Sequence, residues 1–290
     1  MAPVAAPLTG HRLTLNAAEL ALLFDSVGAT LPPGFDTVEV ADSQLRAAAA
    51  TLSDRGILID DGNGSGRPTA PVAANLATLT GAAVSVQIDV SLGDRWSRSW
   101  HSVCGPLGAS LFALADGAAE LSLFGATALG WELIRAVPLV EDPGTPEARL
   151  ARALGGAAAA RPPLVGWLPL RALAEYAPTR DLSAGAGPQH PVAALELSPP
   201  EALLARQITE RTSGVLRCLV IGSVPGAGTG QRGVVVGQVV WLATDDGGWL
   251  GLRPEPDGSG RRPVSVRPVT RDQIGTWLAP YLADVLRVAP

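Results

Sequence analysis

Hydrophobic and polar positions alternate along the chain with two periodicities, one typical of helices and one typical of strands. Apolar residues at helical spacing follow Asn16, whose side chain suits a helix N-cap, and Glu19 completes a capping box. Thr270 and Gln273 repeat this arrangement near the end of the chain. Further helices are predicted at Gln44–Arg55, after Thr69, Thr127 and Thr145, over Leu168–Tyr176, and after Ser198.

Strict alternation of period two marks the segment Val84–Ser91, where Val or Ile alternates with Ser, Gln or Asp. This pattern predicts a strand with one buried face and one polar face. Asp116-Gly117 and Asp246-Gly247 are strong hairpin signals between strand-like runs. The other predicted strands are Arg95–Val103, Ala109–Ala115, Ala119–Phe124, Val215–Val224, Val234–Leu242, Trp249–Arg253 and Val264–Val269.

The two halves of the chain present these elements in the same order, ending each time in a strand, an Asp-Gly hairpin and a helix. Leu111–Val137 parallels Trp241–Leu282. We therefore expect an α+β protein with one domain over 1–290, built of two pseudo-repeat subdomains at about 1–140 and 141–290. Joining their sheets edge to edge would remove exposed strand edges.

The amino-acid composition argues against several classes of function. The chain is 47% hydrophobic, which allows a large core, and its net charge is −5. All its basic residues are arginine and they form no cluster, which argues against nucleic-acid binding. No membrane-inserting segment or signal peptide is indicated, and the two distant cysteines, Cys104 and Cys218, fit a reducing cytoplasm. The absence of lysine and the wealth of Ala, Gly and Pro indicate a GC-rich genome, as in actinobacteria.

The sequence contains no recognisable catalytic, cofactor or metal-binding motif. His101 and Cys104 lie three residues apart in a predicted strand, so alternation puts them on opposite faces. The glycine run Gly222–Gly230 lacks the lysine of a phosphate loop and is interpreted as a hairpin loop. A hydrolase or transferase with an unrecognised site and a homodimeric scaffold remain alternatives to a protein-binding function.

Tryptophan and arginine supply the candidate binding surface. We expect Trp131, Trp167 and Trp277 in the core. The run Asp94–Trp100 carries residue types enriched in interface hot spots, although arginine stacked on tryptophan in an ordinary hairpin explains it equally well. The candidate partner-binding residues are Gln87, Asp89, Arg95, Trp96, Arg98, Arg217, Gln238 and Trp249.

Five segments give the chain its resemblance to a known family: Leu15–Phe35, Ala50–Leu58, Gly105–Gly125, Gly237–Trp249 and Pro268–Leu282. Their order resembles the EspG family, which is associated with ESX (type VII) secretion in actinobacteria. The resemblance implies a quasi-two-fold α+β fold, with a central antiparallel sheet and two helical bundles. It also implies a cytosolic chaperone that binds the helical tip of a PE–PPE heterodimer, keeps it soluble and delivers it for secretion.

Overall fold

A computed structural model gives the fold as one large antiparallel sheet, a two-stranded ribbon and six α-helices within the residues that it describes. This confirms the α+β expectation. In the same residues no helix is long and apolar enough to cross a membrane. The described ranges are 11–35, 40–59, 66–114, 116–140, 163–170, 172–173, 197–225, 231–255 and 262–288.

Capping side chains fix the starts of several helices. The side-chain oxygen of Asn16 accepts a hydrogen bond from the Glu19 amide at 2.9 Å, and the Glu19 carboxylate accepts one from the Asn16 amide. Gln273 accepts from the Thr270 amide in the same way at 3.2 Å. The helices are α1 Ala17–Asp25, α2 Asp42–Asp54, α3 Ala70–Thr80, α4 Leu129–Ala136, α5 Pro199–Arg211 and α6 Ile274–Val288.

Two helix predictions need correction. Thr127 does not cap α4, because a 3₁₀ turn at Ala126–Ala128 comes first and Ala128 holds the N-cap position. The segment predicted as a helix from Leu168 begins instead as the strand Gly166–Pro169, which pairs with a neighbouring strand. The helix predicted after Thr145 lies outside the described residues.

All the strands predicted from the sequence are present, most with longer bounds. The strand predicted over Ala109–Ala115 begins earlier, at Leu107, and ends at Ala113, while Ala115 lies outside the described residues. The ten-stranded sheet has the order β1-β7-β6-β5-β4-β9-β10-β11-β12-β8, and β2 pairs with β3 separately. The strands are β1 His11–Leu15, β2 Leu58–Ile59, β3 Arg67–Pro68, β4 Val84–Leu92, β5 Arg95–Cys104, β6 Leu107–Ala113, β7 Ala119–Gly125, β8 Gly166–Pro169, β9 Thr212–Pro225, β10 Gln231–Thr244, β11 Trp249–Pro254 and β12 Pro263–Val269.

Strands β4 and β9 join the two halves of the chain into a continuous sheet. Their antiparallel register runs from Val84 opposite Gly222 to Leu92 opposite Gly214. Gly214 is required at the end of this seam, because a Cβ there would lie 2.3 Å from the carbonyl oxygen of Ser91. The backbones of the two halves thus approach more closely than any side chain at this position would permit.

The sheet has two chemically different faces at its centre. Val84, Val86, Ile88 and Val90 are all buried and define what we call the valine face. Helices α4 and α6 cover it, contributing Leu133, Ile274 and Leu278 among others to one apolar cluster. The opposite face, which we call the polar face, is covered by α1, α2 and α3 over the first half and by α5 over the second.

Three tryptophans pack together on the valine face of the second half. The ring of Trp241 lies 6.3 Å from that of Trp249 and 5.8 Å from that of Trp277. The prediction that Trp277 lies in the core is partly confirmed, because its side chain packs against this cluster but is only half-buried. Trp131 and Trp167 are not in the core, with exposures of 69% and 53%. Trp131 lies on the outer side of α4, and Trp167 points away from α5 on the edge strand β8.

Two glycine substitutions should shift stability in opposite directions. A Cβ at Gly251 would lie 2.5 Å from the Trp277 ring, so Gly251→Ala should destabilise by about 1–3 kcal/mol. Gly130 is exposed in α4 with open space around it, so Gly130→Ala should stabilise by about 0.5–1 kcal/mol through helix propensity. Urea unfolding midpoints measure both changes, and equal shifts for the two variants would contradict the packing described for Trp277.

Candidate protein-binding surface

Strand register gathers most of the predicted binding residues on the polar face. Gln87 lies opposite Leu219, which in turn lies opposite Gln238, so the three form one row across β4, β9 and β10. Asp89 stands between Arg98 and Arg217 in the next row. Because paired residues share a face, the predicted residues that meet there are Gln87, Asp89, Trp96, Arg98, Arg217 and Gln238.

Two predicted residues lie elsewhere. Arg95 pairs with Leu92 at the β4–β5 turn, and Leu92 packs into the cluster on the valine face. Trp249 pairs with Ala243 on the valine face and is only 5% exposed, with its indole N–H donating to the Pro138 carbonyl at 3.3 Å. Trp249 is therefore a core residue, and we leave it out of the candidate surface.

On one side of the surface, Asp89 is the hydrogen-bond acceptor for two neighbouring side chains. Its carboxylate accepts a hydrogen bond from the Gln87 amide at 2.7 Å and another from the Arg98 guanidinium. The same guanidinium lies 4.9 Å from the centre of the Trp96 ring, which is 44% exposed. The stacked arrangement foreseen as an alternative for this segment is thus present. It holds Trp96 and Arg98 in a fixed position, which lowers the entropy lost if they bind a partner.

Arg217 and Gln238 form the open side of the surface. Both are exposed, and neither side chain has a hydrogen bond or ion pair within the described parts of the chain. Arg217 faces Asp89 in the register, but Gln87 and Arg98 already occupy that carboxylate. We call Gln87, Asp89, Arg217 and Gln238 the open strip, since no described helix covers it between α3 and α5.

Two apolar residues of this surface escaped the sequence analysis. Leu219 and Val240 are both half-buried. Leu219 lies between Gln87 and Gln238, whereas Val240 lies beside Arg217. They are apolar contacts that a partner would cover together with Arg217 and Gln238. The signal that could have found them is the alternation within β9 and β10, where every second residue after Arg217 returns to the same face.

An ion-pair network occupies the valine face of the first half, under α4. Arg12 bridges Glu132 at 2.6 Å and Glu120 at 3.1 Å, and Arg135 also pairs with Glu120 at 2.6 Å. Burial acts to raise the pKa of Glu120, but the hydrogen bond and charge of Arg135, aided by Arg12, outweigh it and lower that pKa. Glu132 is nearly buried and Glu120 is partly buried, and both carboxylates are paired with arginine. Because the charges are paired within the protein, we interpret this network as structural.

The alternative of an enzyme centred on His101 and Cys104 finds no geometric support. His101 is 1% exposed and is hydrogen-bonded through Nε2 to the Ser99 hydroxyl at 2.9 Å, whereas Cys104 is exposed at the end of β5. Burial, with a smaller effect of Arg135, lowers the pKa of His101 to about 3. Burial, aided by the charge of Asp89, raises the pKa of the Cys218 thiol. Over the described ranges, no three His, Cys, Asp or Glu side chains converge as a metal site requires.

The geometry defines an α+β protein with a long antiparallel sheet, and no helix of the described ranges covers the centre of its polar face. No protein-family model matches the chain, and no curated protein matches its sequence. Among solved structures, it is similar to the Mycobacterium tuberculosis type VII secretion system chaperone EspG5, determined in complex with a PE25–PPE41 dimer. The match covers 97% of both chains, with a TM-score of 0.51 and 12% sequence identity, and so shows a shared fold.

Burial of neutral His101 should make stability depend on pH. The pKa of His101 falls from 6.5 to about 3 on folding, so below pH 6.5 the unfolded chain binds a proton that the folded chain excludes. The wild type should lose stability from this group as the pH falls from 6.5 towards 3. His101→Asn should therefore flatten the pH profile by up to ~1.4 kcal/mol per pH unit.

Urea unfolding at a series of pH values measures this effect. Stability at about pH 8, where His101 is neutral in both states, serves as the reference for each protein. Parallel profiles for the wild type and His101→Asn would contradict the buried neutral state of the imidazole.

Proposed function

We propose that this protein is a non-enzymatic, cytoplasmic chaperone of an actinobacterial type VII secretion system. Its client is a PE–PPE-like helical protein, bound by its helical tip and kept soluble for secretion. The observation that carries the proposal is the open strip, on a fold that matches EspG5 over nearly the full length of both chains. The proposal needs no cofactor, no metal and no nucleic acid.

The proposed architecture is one domain of two quasi-two-fold-related units, 1–140 and 141–290. Counted inward from the sheet edges, the strands of the two halves are β1-β7-β6-β5-β4 and β8-β12-β11-β10-β9. Each half therefore has an edge strand, then a four-stranded meander whose first strand lies at the centre. Helices α4 and α6 follow these meanders and pack on the same face. These correspondences support the proposed symmetry.

The chemistry of the open strip suits the end of a helical hairpin. Such an end carries unsatisfied backbone groups together with exposed apolar side chains. Arg217 offers a guanidinium with five donors, Gln87 and Gln238 offer amides, and Leu219 and Val240 offer apolar surface between them. A rigid sheet can receive a helical partner there with little rearrangement.

Arg217→Ala should weaken client binding by about 2 kcal/mol or more, or roughly thirtyfold in Kd, because a desolvated charge contact would be lost. Arg206→Ala is the matched control, since Arg206 is 66% exposed on α5 and, among the described residues, its ion pair is with Glu210 on the same helix. Calorimetry with a co-expressed PE–PPE heterodimer from the same genome measures both.

Each result discriminates between the hypotheses. Equal client affinities for Arg217→Ala and Arg206→Ala would contradict the assignment of the open strip as the binding site. Failure of the wild-type protein to bind any PE–PPE pair, together with a tight dimer in light scattering, would contradict the chaperone and favour the homodimeric scaffold.

A further inference from the structure

A second surface lies on the opposite side of the sheet, beside α6. It is a groove of about 200 Å³ between the first half of α6 and strands β10, β11 and β12, and Gln238 and Val239 of β10 are among its lining residues. We call it the α6 groove. The lining residues that matter below are Arg253, Arg267, Thr276, Trp277, Pro280 and Tyr281.

The groove carries positive charge that the described protein does not neutralise. Arg253 and Arg267 are both exposed, and neither has a carboxylate partner within the described ranges. Arg267 instead lies 5.2 Å from the centre of the Trp277 ring. The first half differs, since on the same face of the sheet Arg12 and Arg135 are ion-paired with glutamates. The pair in the groove is therefore available to an anionic ligand.

The aromatic floor of the groove is held in place from beneath. Trp277 packs directly over Gly251, where a Cβ would lie only 2.5 Å from the indole ring, and edge-on against buried Trp241. Tyr281 similarly covers Gly237, where a Cβ would lie 2.3 Å from its ring. Two glycines thus let two aromatic side chains lie close against the sheet, where they form an apolar part of the groove lining.

A hydrogen-bond acceptor completes the groove. Pro280 lies inside α6 and has no backbone N–H. The carbonyl of Thr276, one turn earlier, therefore lacks its helical hydrogen bond, and both residues line the groove. A ligand that fits this set offers carboxylates to the arginines, an N–H to the Thr276 carbonyl and apolar groups to the aromatic rings.

We propose that the α6 groove binds an acidic peptide segment of a partner protein. A peptide supplies all three features at once, whereas a free phosphate has no N–H for the carbonyl and no apolar part for the rings. Arg253 and Arg267 lie on the valine-face side of the sheet, opposite Asp89 and Arg217 of the open strip. Gln238 of the open strip also lines the groove, so the two surfaces adjoin at that residue.

The experiment uses the full-length protein and a fluorescein-labelled acidic peptide, EEDFPEE, with QQNFPQQ as the neutral probe. Fluorescence anisotropy should show binding of the acidic peptide that weakens as salt rises from about 50 to about 300 mM. Arg253→Ala and Arg267→Ala should each raise its Kd about fivefold or more, whereas Arg206→Ala, the matched control, should leave it unchanged.

Three outcomes would overturn the proposal: equal affinity for the acidic and neutral peptides, unchanged affinity in the Arg253→Ala, Arg267→Ala double variant, or displacement of the peptide by inorganic phosphate alone at equal concentration. Failure of client binding at the open strip would leave these measurements unaffected, since Arg217→Ala should bind the acidic peptide like the wild type.

Discussion

Pairing between β4 and β9 places the two halves of the chain in one sheet. The burial of the valine face and the position of the open strip both depend on this pairing. The register sets Val86 beside Val220 and Ile88 beside Cys218, all of them fully or almost fully buried. The same register sets Asp89 beside Arg217 on the opposite face. A shift of one residue would turn the apolar set to the outside and the polar set to the inside. The burial of the valine face therefore fixes the position of the open strip.

In each half of the chain a helix packs on the valine face of the sheet, but the residues beneath the two helices differ in chemistry. Under α4, the sheet presents Glu120 with Arg12 and Arg135 around it, and the charges are satisfied as ion pairs. Under α6, it presents Trp241, Trp249 and Trp277 in mutual contact. On this face of the second half, Arg253 and Arg267 have no carboxylate partner among the described residues. The polar network of the first half uses its arginines internally. The binding that we propose beside α6 depends on this difference.

Local signals in the sequence were sufficient for much of the fold. The capping boxes at Asn16 and Thr270 and the two Asp-Gly hairpins depend on contacts a few residues apart, so the sequence predicts them directly. β1 and β8 were not predicted, because each is a short edge strand whose partner lies far along the chain. Trp167 was misplaced for the same reason. Its exposure depends on which face of β8 meets α5, and no local pattern specifies this.

The sequence predicts the candidate surface only where the alternation of side chains along a strand is enough to assign a residue to one face of the sheet. The polar positions of β4 fall where the period of two puts them, and Arg217 and Gln238 join them through register. Trp249 was misassigned because the β10–β11 hairpin sets which of its residues point inward. The α6 groove could not be foreseen, since it requires the packing of Trp277 on Gly251 across long-range contacts.

Hydrogen–deuterium exchange under native conditions tests most directly whether the seam makes the two halves one cooperative unit. The amides of β4 and β9 should exchange only through global unfolding, with the same opening free energy as those of β5 and β10. Exchange of β9–β12 in a step separate from β4–β7 would contradict the account. The halves would then be independent units, and the open strip would no longer be a rigid surface.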